Sequence, residues 1–384
     1  MVPDVVGLPL FLAIFFGVGR WRRKGSLRGA KWLFLSGVVS GLAYVFFTYA
    51  DGESPFQRAG VILAANVVGL IAYLIVAEGS LDAVAFIIAG HALAWVLHSA
   101  MAPVGDAAGS FGNLWKYAIA VPVTILVLFV ANSSERRSLV SGVLLFVIGI
   151  VSIFLNFRSH GLVCAVAGAI LIAVHNQGFG QSGRRSRVRS SIALVLVLLP
   201  VLALPALIES GIFGATVQEK ALSQSDGGPV LLAGRTEPAM SYFIISARPL
   251  TGWGSVANVP ESLVLEGRDF LQSVGVDNTE AIYRLWHRSG YEVTLHSMLA
   301  QLWVEGGLLA GIFLVVLIGA GMVAAFRWKG PFGGMVVYLA LQIAWDTLFS
   351  PHTAYTATLW GMAAALFAIG SRRNRGSLSE ARFG

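Results

Sequence analysis

Cysteine is almost missing from this chain. Cys164 is the single one in 384 residues and stands inside an apolar stretch, so disulfides within one chain are excluded. Charge is scarce as well: 12% of residues are Asp, Glu, Lys or Arg against 56% hydrophobic. With a mean hydropathy of +0.74, that excludes the usual balance of a soluble globular protein. The short alternating segments of an outer-membrane barrel are absent, so helices must do the spanning. No internal repeat of fixed period occurs, and no low-complexity tract beyond a basic tail.

Apolar stretches near 20 residues, long enough to cross roughly 30 Å of hydrocarbon as helix, recur along nearly the whole length. The spacing predicts eleven spans, at 5–19, 32–50, 60–77, 83–102, 114–131, 139–156, 161–175, 191–208, 297–323, 333–349 and 354–370. The first could be taken for a signal peptide, but it has no basic n-region and is followed by Arg20, Arg22, Arg23 and Lys24, the wrong order of charge. The net charge of +7 does not point to nucleic acid, because the basic residues sit in short blocks between apolar segments. Arg184, Arg185, Arg187, Arg189, Arg327, Lys329, Arg372, Arg373 and Arg375 fall on one side of the predicted membrane together with the Arg20–Lys24 block. The positive-inside rule makes that side the cytoplasm, with the N-terminus outside and the C-terminus inside.

This gives an all-α polytopic membrane protein in four parts: spans one to eight over 1–208, a large outer loop over 209–296, spans nine to eleven over 297–370, and a basic cytoplasmic tail over 371–384. The loop is long for so economical a scaffold, and such insertions are usually functional or disordered. Within it, Met240, Phe243, Ile244 and Ala247 stand at i, i+3, i+4 and i+7, which predicts a helix with one apolar face, closed by Pro249, Gly252 and Gly254.

Ionisable side chains at membrane depth are costly and tend to mark function, which singles out His91, His98, Arg158, His160, His175, His296, Glu305 and Asp346. His91 and His98 share a helix face, but no carboxylate or cysteine stands at ligand spacing to complete a metal site. Glu305 and Asp346 fit structural pairing between helices at least as well as catalysis. The run "GFGQSG" at 178–183 matches a dinucleotide fingerprint formally, yet it follows an apolar helix where a strand is required. No nucleophile elbow, zinc-protease pair or phosphate-binding loop is present.

Arg158, Arg235, Arg248 and His296 come from separate parts of the chain, and the predicted topology brings all four to the outer membrane surface. Arginine forks grip phosphate oxygens with paired hydrogen bonds and keep their charge, which suits a lipid diphosphate. A histidine beside them can take a proton from a hydroxyl. The competing reading is that these arginines snorkel to lipid headgroups and His296 caps a helix.

In order along the chain stand Gly234-Arg235, an apolar helix at 239–247, Pro249-Leu250-Thr251-Gly252-Trp253-Gly254, His296, and Glu305-Gly306-Gly307-Leu308. This ordered set resembles the O-antigen ligase and O-antigen polymerase-like membrane glycosyltransferases, over residues 158–311. The chain departs from the family pattern at Phe157, where Ser or Thr is usual, and at Ser297, where Asn is common. The resemblance implies a GT-C-like helical fold with one large periplasmic loop, in the bacterial inner membrane. It implies an undecaprenyl-diphosphate-linked glycan as donor and a hydroxyl of a glycan or lipid-linked acceptor as partner, with no cofactor and no metal ion. Arg158 and Arg235 would hold the diphosphate, with Arg248 beside them, and His296 would activate the acceptor. Two rivals stay open: a peptidoglycan-type polymerase of the shape, elongation and division class, which wants a loop aspartate, and a lipid-linked glycan flippase or transporter, which wants charges lining two related halves.

Overall fold

The computed structural model describes residues 31–54, most of 60–70, 80–102, 109–132, 137–175, 210–212, 218, 236–275, 279, 295, 297–328, 330–350 and 359–369. The predicted spans at 5–19 and 191–208, the 176–190 loop and the 371–384 tail lie outside them. Every regular element among the described residues is helical. In chain order these are α1 (Lys31–Ala50), α2 (Leu81–Met101), α3 (Phe111–Ala131), α4 (Arg137–Phe154), α5 (Arg158–Ile170), α6 (Thr236–Ala247), α7 (Glu261–Ser273), α8 (Met298–Ala310), α9 (Ile312–Arg327), α10 (Gly333–Phe349) and α11 (Leu359–Ile369). Three of them, α1, α2 and α3, are long and apolar enough to cross a membrane, and a fourth span results if α8 and α9 count as one bent pair.

Local chemistry sets the helix starts. Ser80, Ser110 and Ser297 cap α2, α3 and α8, each side-chain oxygen accepting an N–H from three residues on. In α3, Pro122 has no N–H to give and its ring crowds the carbonyl four residues back. The turn holding that carbonyl, Trp115–Ile119, is widened into a π helix.

The packing of α1 is that of a helix in hydrocarbon. Its buried stripe is Leu33, Ser36, Gly37, Ser40, Ala43, Tyr44 and Thr48, rich in small and polar residues, whereas Trp32, Leu42, Phe46 and Tyr49 stand exposed. Small residues inward and large apolar ones outward is the arrangement of helices that pack through close backbone approach and face lipid.

The chain divides into two compact units, one of Met1–Val76, Leu222–Gly319 and Ile343–Ala364, the other of Ala77–Ala221, Ala320–Gln342 and Ala365–Gly384. In the second unit, α4 and α5 form an antiparallel hairpin with glycines two turns apart on each helix. A Cβ on Gly168 would lie 2.8 Å from the Gly142 carbonyl oxygen, and one on Gly161 2.9 Å from that of Gly149. The helices therefore touch backbone to backbone. The hairpin turns at Asn156 (φ 59°): the Phe157 N–H donates to the Ser152 carbonyl and the Asn156 N–H to that of Ile153, which satisfies the last carbonyls of α4.

In the first unit, a small core of Met240, Ile244, Ile245, Val256, Val264, Leu271, Leu295, Ala300 and Val304 joins α6, α7 and α8. The predicted loop helix is present as α6, with its buried stripe turned slightly: Ser241 and Ile245 are inside with Met240 and Ile244, and Ala247 is exposed. Helix α7 was not legible in the sequence. The predicted single helix over 297–323 is instead two, α8 and α9, bent by 99°.

Candidate functional site

The bend has a definite backbone chemistry. Gly307 sits at φ 74°, ψ −176°, a region in which only glycine is unstrained. Continuing α8 through that point would pair the Leu308 N–H with the Val304 carbonyl. Instead, the turn after α6 supplies the partners. Trp253 N–H donates to the Val304 carbonyl (2.7 Å), Gly254 N–H to the Glu305 carbonyl (2.9 Å), and Leu308 N–H to the Pro249 carbonyl (3.0 Å). The Trp303 indole N–H reaches the same Pro249 oxygen at 2.7 Å. Gly252 has φ 72°, and a Cβ there would lie 2.7 Å from Glu305 O, Gly307 N and Val304 O, so nothing larger than glycine fits.

A second interruption follows. Ser40 Oγ on α1 donates to the Leu309 carbonyl (3.1 Å) and accepts the Phe313 N–H (2.8 Å). Those two groups are four residues apart, so a hydroxyl is inserted where a helical hydrogen bond would close. Non-helical backbone at membrane depth is tolerated only when protein satisfies its polar groups; here α1 and the 249–254 turn do so.

The other side of the break carries a buried carboxylate. Glu305, 5% exposed, accepts the Tyr44 hydroxyl at Oε2 (2.6 Å) and the Gln301 side-chain amide at Oε1. Gln301 Oε1 accepts the Leu295 N–H at 2.8 Å. Leu295 is buried, as is Ser297, whose hydroxyl donates to the Thr347 carbonyl (3.2 Å). His296, between them, and Arg235 lie outside the described residues.

Arg248 opens the turn in the first unit. Its guanidinium stands 4.7 Å above the Trp253 ring, and Nη1 is 3.4 Å from Asp51 Oδ1, with the Arg248 side chain 43% exposed. Arg158 begins α5 in the second unit and is half-buried. Two residues on, His160 is a buried hub. Its Nδ1 is 2.9 Å from Ser152 Oγ, its Nε2 is 2.9 Å from Tyr338 Oη and 3.3 Å from Thr124 Oγ1, and Phe157 stacks on the ring at 5.1 Å. Ser152 Oγ in turn accepts the Trp115 indole N–H. The unusual Phe157 thus has a packing role, and His160 ties α3, α4, α5 and α10 together. Asp346 accepts the Ser350 hydroxyl at the end of its own helix. His98 is exposed on α2. Among the described residues, no three His, Cys, Asp or Glu side chains gather where they could hold a metal ion.

Sequence reasoning singled out Glu305, the 249–254 turn and the Glu305–Leu308 motif, and these meet in space. It missed Ser40, Tyr44 and Gln301. The signal for the first two was present: Ser36, Ser40, Tyr44 and Thr48 repeat every four residues on an otherwise apolar helix, a polar stripe of the kind that marks a helix interface. No family model matches this chain, and no curated protein or solved structure matches it either.

Proposed function

We propose that this chain is an inverting, metal-independent glycosyltransferase at the periplasmic face of the bacterial inner membrane. It moves a glycan from an undecaprenyl-diphosphate donor to an acceptor hydroxyl, as an O-antigen ligase or polymerase does. The observation that carries this reading is the docking of Pro249–Gly254 onto the broken helix at Glu305–Leu308. Two motif segments that are more than fifty residues apart in sequence share one set of backbone hydrogen bonds. Arg248 stands at one end of that assembly, and the residues flanking His296 are held by the other. The eleven-span topology, with the N-terminus outside and the C-terminus inside, belongs to the same proposal.

In the reaction, His296 takes the proton of the acceptor hydroxyl. The oxygen attacks the anomeric carbon from the face opposite the diphosphate, and the new carbon–oxygen bond forms as the bond to the diphosphate oxygen breaks. The electron pair leaves with undecaprenyl diphosphate, whose charge Arg158, Arg235 and Arg248 offset through paired hydrogen bonds. The Asp51 contact to Arg248 is long and partly exposed, so little is lost when a phosphate replaces it.

The test is transfer by purified protein in nanodiscs, given a lipid-linked donor and a glycan acceptor with EDTA present. Transfer with release of undecaprenyl diphosphate is expected, falling as the pH drops through the titration of the imidazole, since only the neutral ring accepts a proton. Activity lost on chelation and restored by a divalent ion would overturn the metal-independent mechanism, and transport of intact donor without transfer would favour the flippase.

A further inference from the structure

We propose that Glu305, acting through Gln301, is the positioning residue that sets His296 against the diphosphate-binding turn; this rests on the reading of His296 as the general base. Glu305 uses both its backbone and its side chain. Its carbonyl accepts Gly254 N–H and so fixes the turn that Arg248 opens, while its carboxylate holds Gln301 and Tyr44. Gln301 reaches the Leu295 N–H, on the peptide group directly before His296 in the chain. One buried residue thus reaches both sides of the proposed site.

The chemistry of the donors and acceptors makes this arrangement directional. A carboxylate offers only acceptors, so the Gln301 amide must turn its NH2 towards Glu305. That leaves the Gln301 carbonyl oxygen for Leu295, which offers only a donor. A hydrophobic residue at 305 would leave the Gln301 amide free to flip, and the 295–297 approach would lose its fixed register. Ser297 closes the other side: its hydroxyl accepts the Ala300 N–H and donates to Thr347, and its carbonyl accepts the Gln301 N–H. Gln301 therefore contacts the chain on both sides of position 296. A base misplaced by about an ångström costs on the order of a hundredfold in rate.

The experiment is a double-mutant cycle on turnover in nanodiscs, with lipid-linked donor and glycan acceptor. Gln301→Met keeps the volume and removes both side-chain hydrogen bonds, and Glu305→Gln keeps an acceptor for Gln301. Gln301→Met is expected to lower kcat about ten- to a hundredfold, with donor KM within about twofold and the base limb of the pH profile displaced. Glu305→Gln should retain more activity than Glu305→Leu. In a His296→Ala background, Gln301→Met should have no further effect, because the group it positions is gone. Equal losses with and without His296, or a changed donor KM with an unmoved pH profile, would overturn the inference and make the network structural. If Gln301→Met fails to fold, Tyr44→Phe, which removes one hydrogen bond to the same carboxylate, carries the same cycle. Full turnover by His296→Ala alone would sink the underlying base assignment instead, an outcome separate from either result of the cycle.

Discussion

The α4–α5 hairpin and the broken α8–α9 pair both depend on glycine, for opposite reasons. In the hairpin, glycine lets two complete helices touch, and every backbone group there is satisfied within its own helix or its Schellman turn. At Gly307, glycine lets one helix stop, and its freed carbonyls and amide are taken up by a segment more than fifty residues away and by Ser40 of α1. A self-satisfied pair of helices is a scaffold. A helix whose backbone is completed by other segments gathers those segments around itself, and the residues with chemical potential, Glu305, Arg248 and the neighbours of His296, accumulate there. Membrane proteins tolerate irregular backbone only where protein or a cavity answers it, so the break is costly unless the site needs it.

The sharpest way to break the contrast is Gly307→Ala. The new side chain meets a glycine-only conformation and the Leu250 carbonyl at once. Strain of about 1–3 kcal/mol and overpacking of about 1–3 kcal/mol add, so thermal unfolding in detergent should show the largest loss of any single methyl added to the chain. Gly168→Ala faces only the second cost, about 1–3 kcal/mol, because Gly168 lies inside regular α5 with ordinary helical backbone. An equal loss from the two would erase the distinction between a close-packed pair and a broken one.

Smaller effects sharpen the site. Arg235→Lys keeps the charge but loses the planar fork, so retention of the lipid-linked donor should weaken by about tenfold, the equivalent of one charge-assisted hydrogen bond. Unchanged retention in a donor-binding assay would assign Arg235 to headgroup contact. The smallest effect belongs to Asp51→Asn. It removes a partly exposed ion pair worth about 0–1 kcal/mol and frees Arg248. Stability should hardly change, and donor retention should stay level or rise. A fall in retention would mean that Asp51 orients Arg248 for the donor.

Much of the helical scaffold was legible because hydropathy and length suffice for it: Lys31–Ala50, Leu81–Met101 and Gly333–Phe349 stand within two residues of their expected bounds. The break was not, because Glu305-Gly306-Gly307-Leu308-Leu309-Ala310-Gly311 scores as a continuous apolar run and hydropathy carries no information on φ. Helix α7 escaped because its inward positions are Val264, Gly267 and Leu271; the glycine, present so that Met240 and Phe243 can pack over it, interrupts the apolar period. The motif order at 249–254 and 305–308 was legible, but its completion by α1 was not, since Ser40 and Tyr44 meet it across more than 260 residues. His160 was picked out as an ionisable group at depth. Its partners Trp115, Thr124, Ser152 and Tyr338 come from three other helices, and no local pattern announces them.

The decisive measurement is the glycan-transfer rate per folded molecule, compared between His296→Ala and Gly168→Ala in nanodiscs. His296→Ala should lose about two to four orders of magnitude, as removal of a general base does, at normal yield and donor retention. Gly168→Ala should fold poorly yet transfer within a few-fold of the unmodified protein once folded molecules are counted. A His296→Ala protein that transfers at the unmodified rate would contradict the assignment of catalysis to this region.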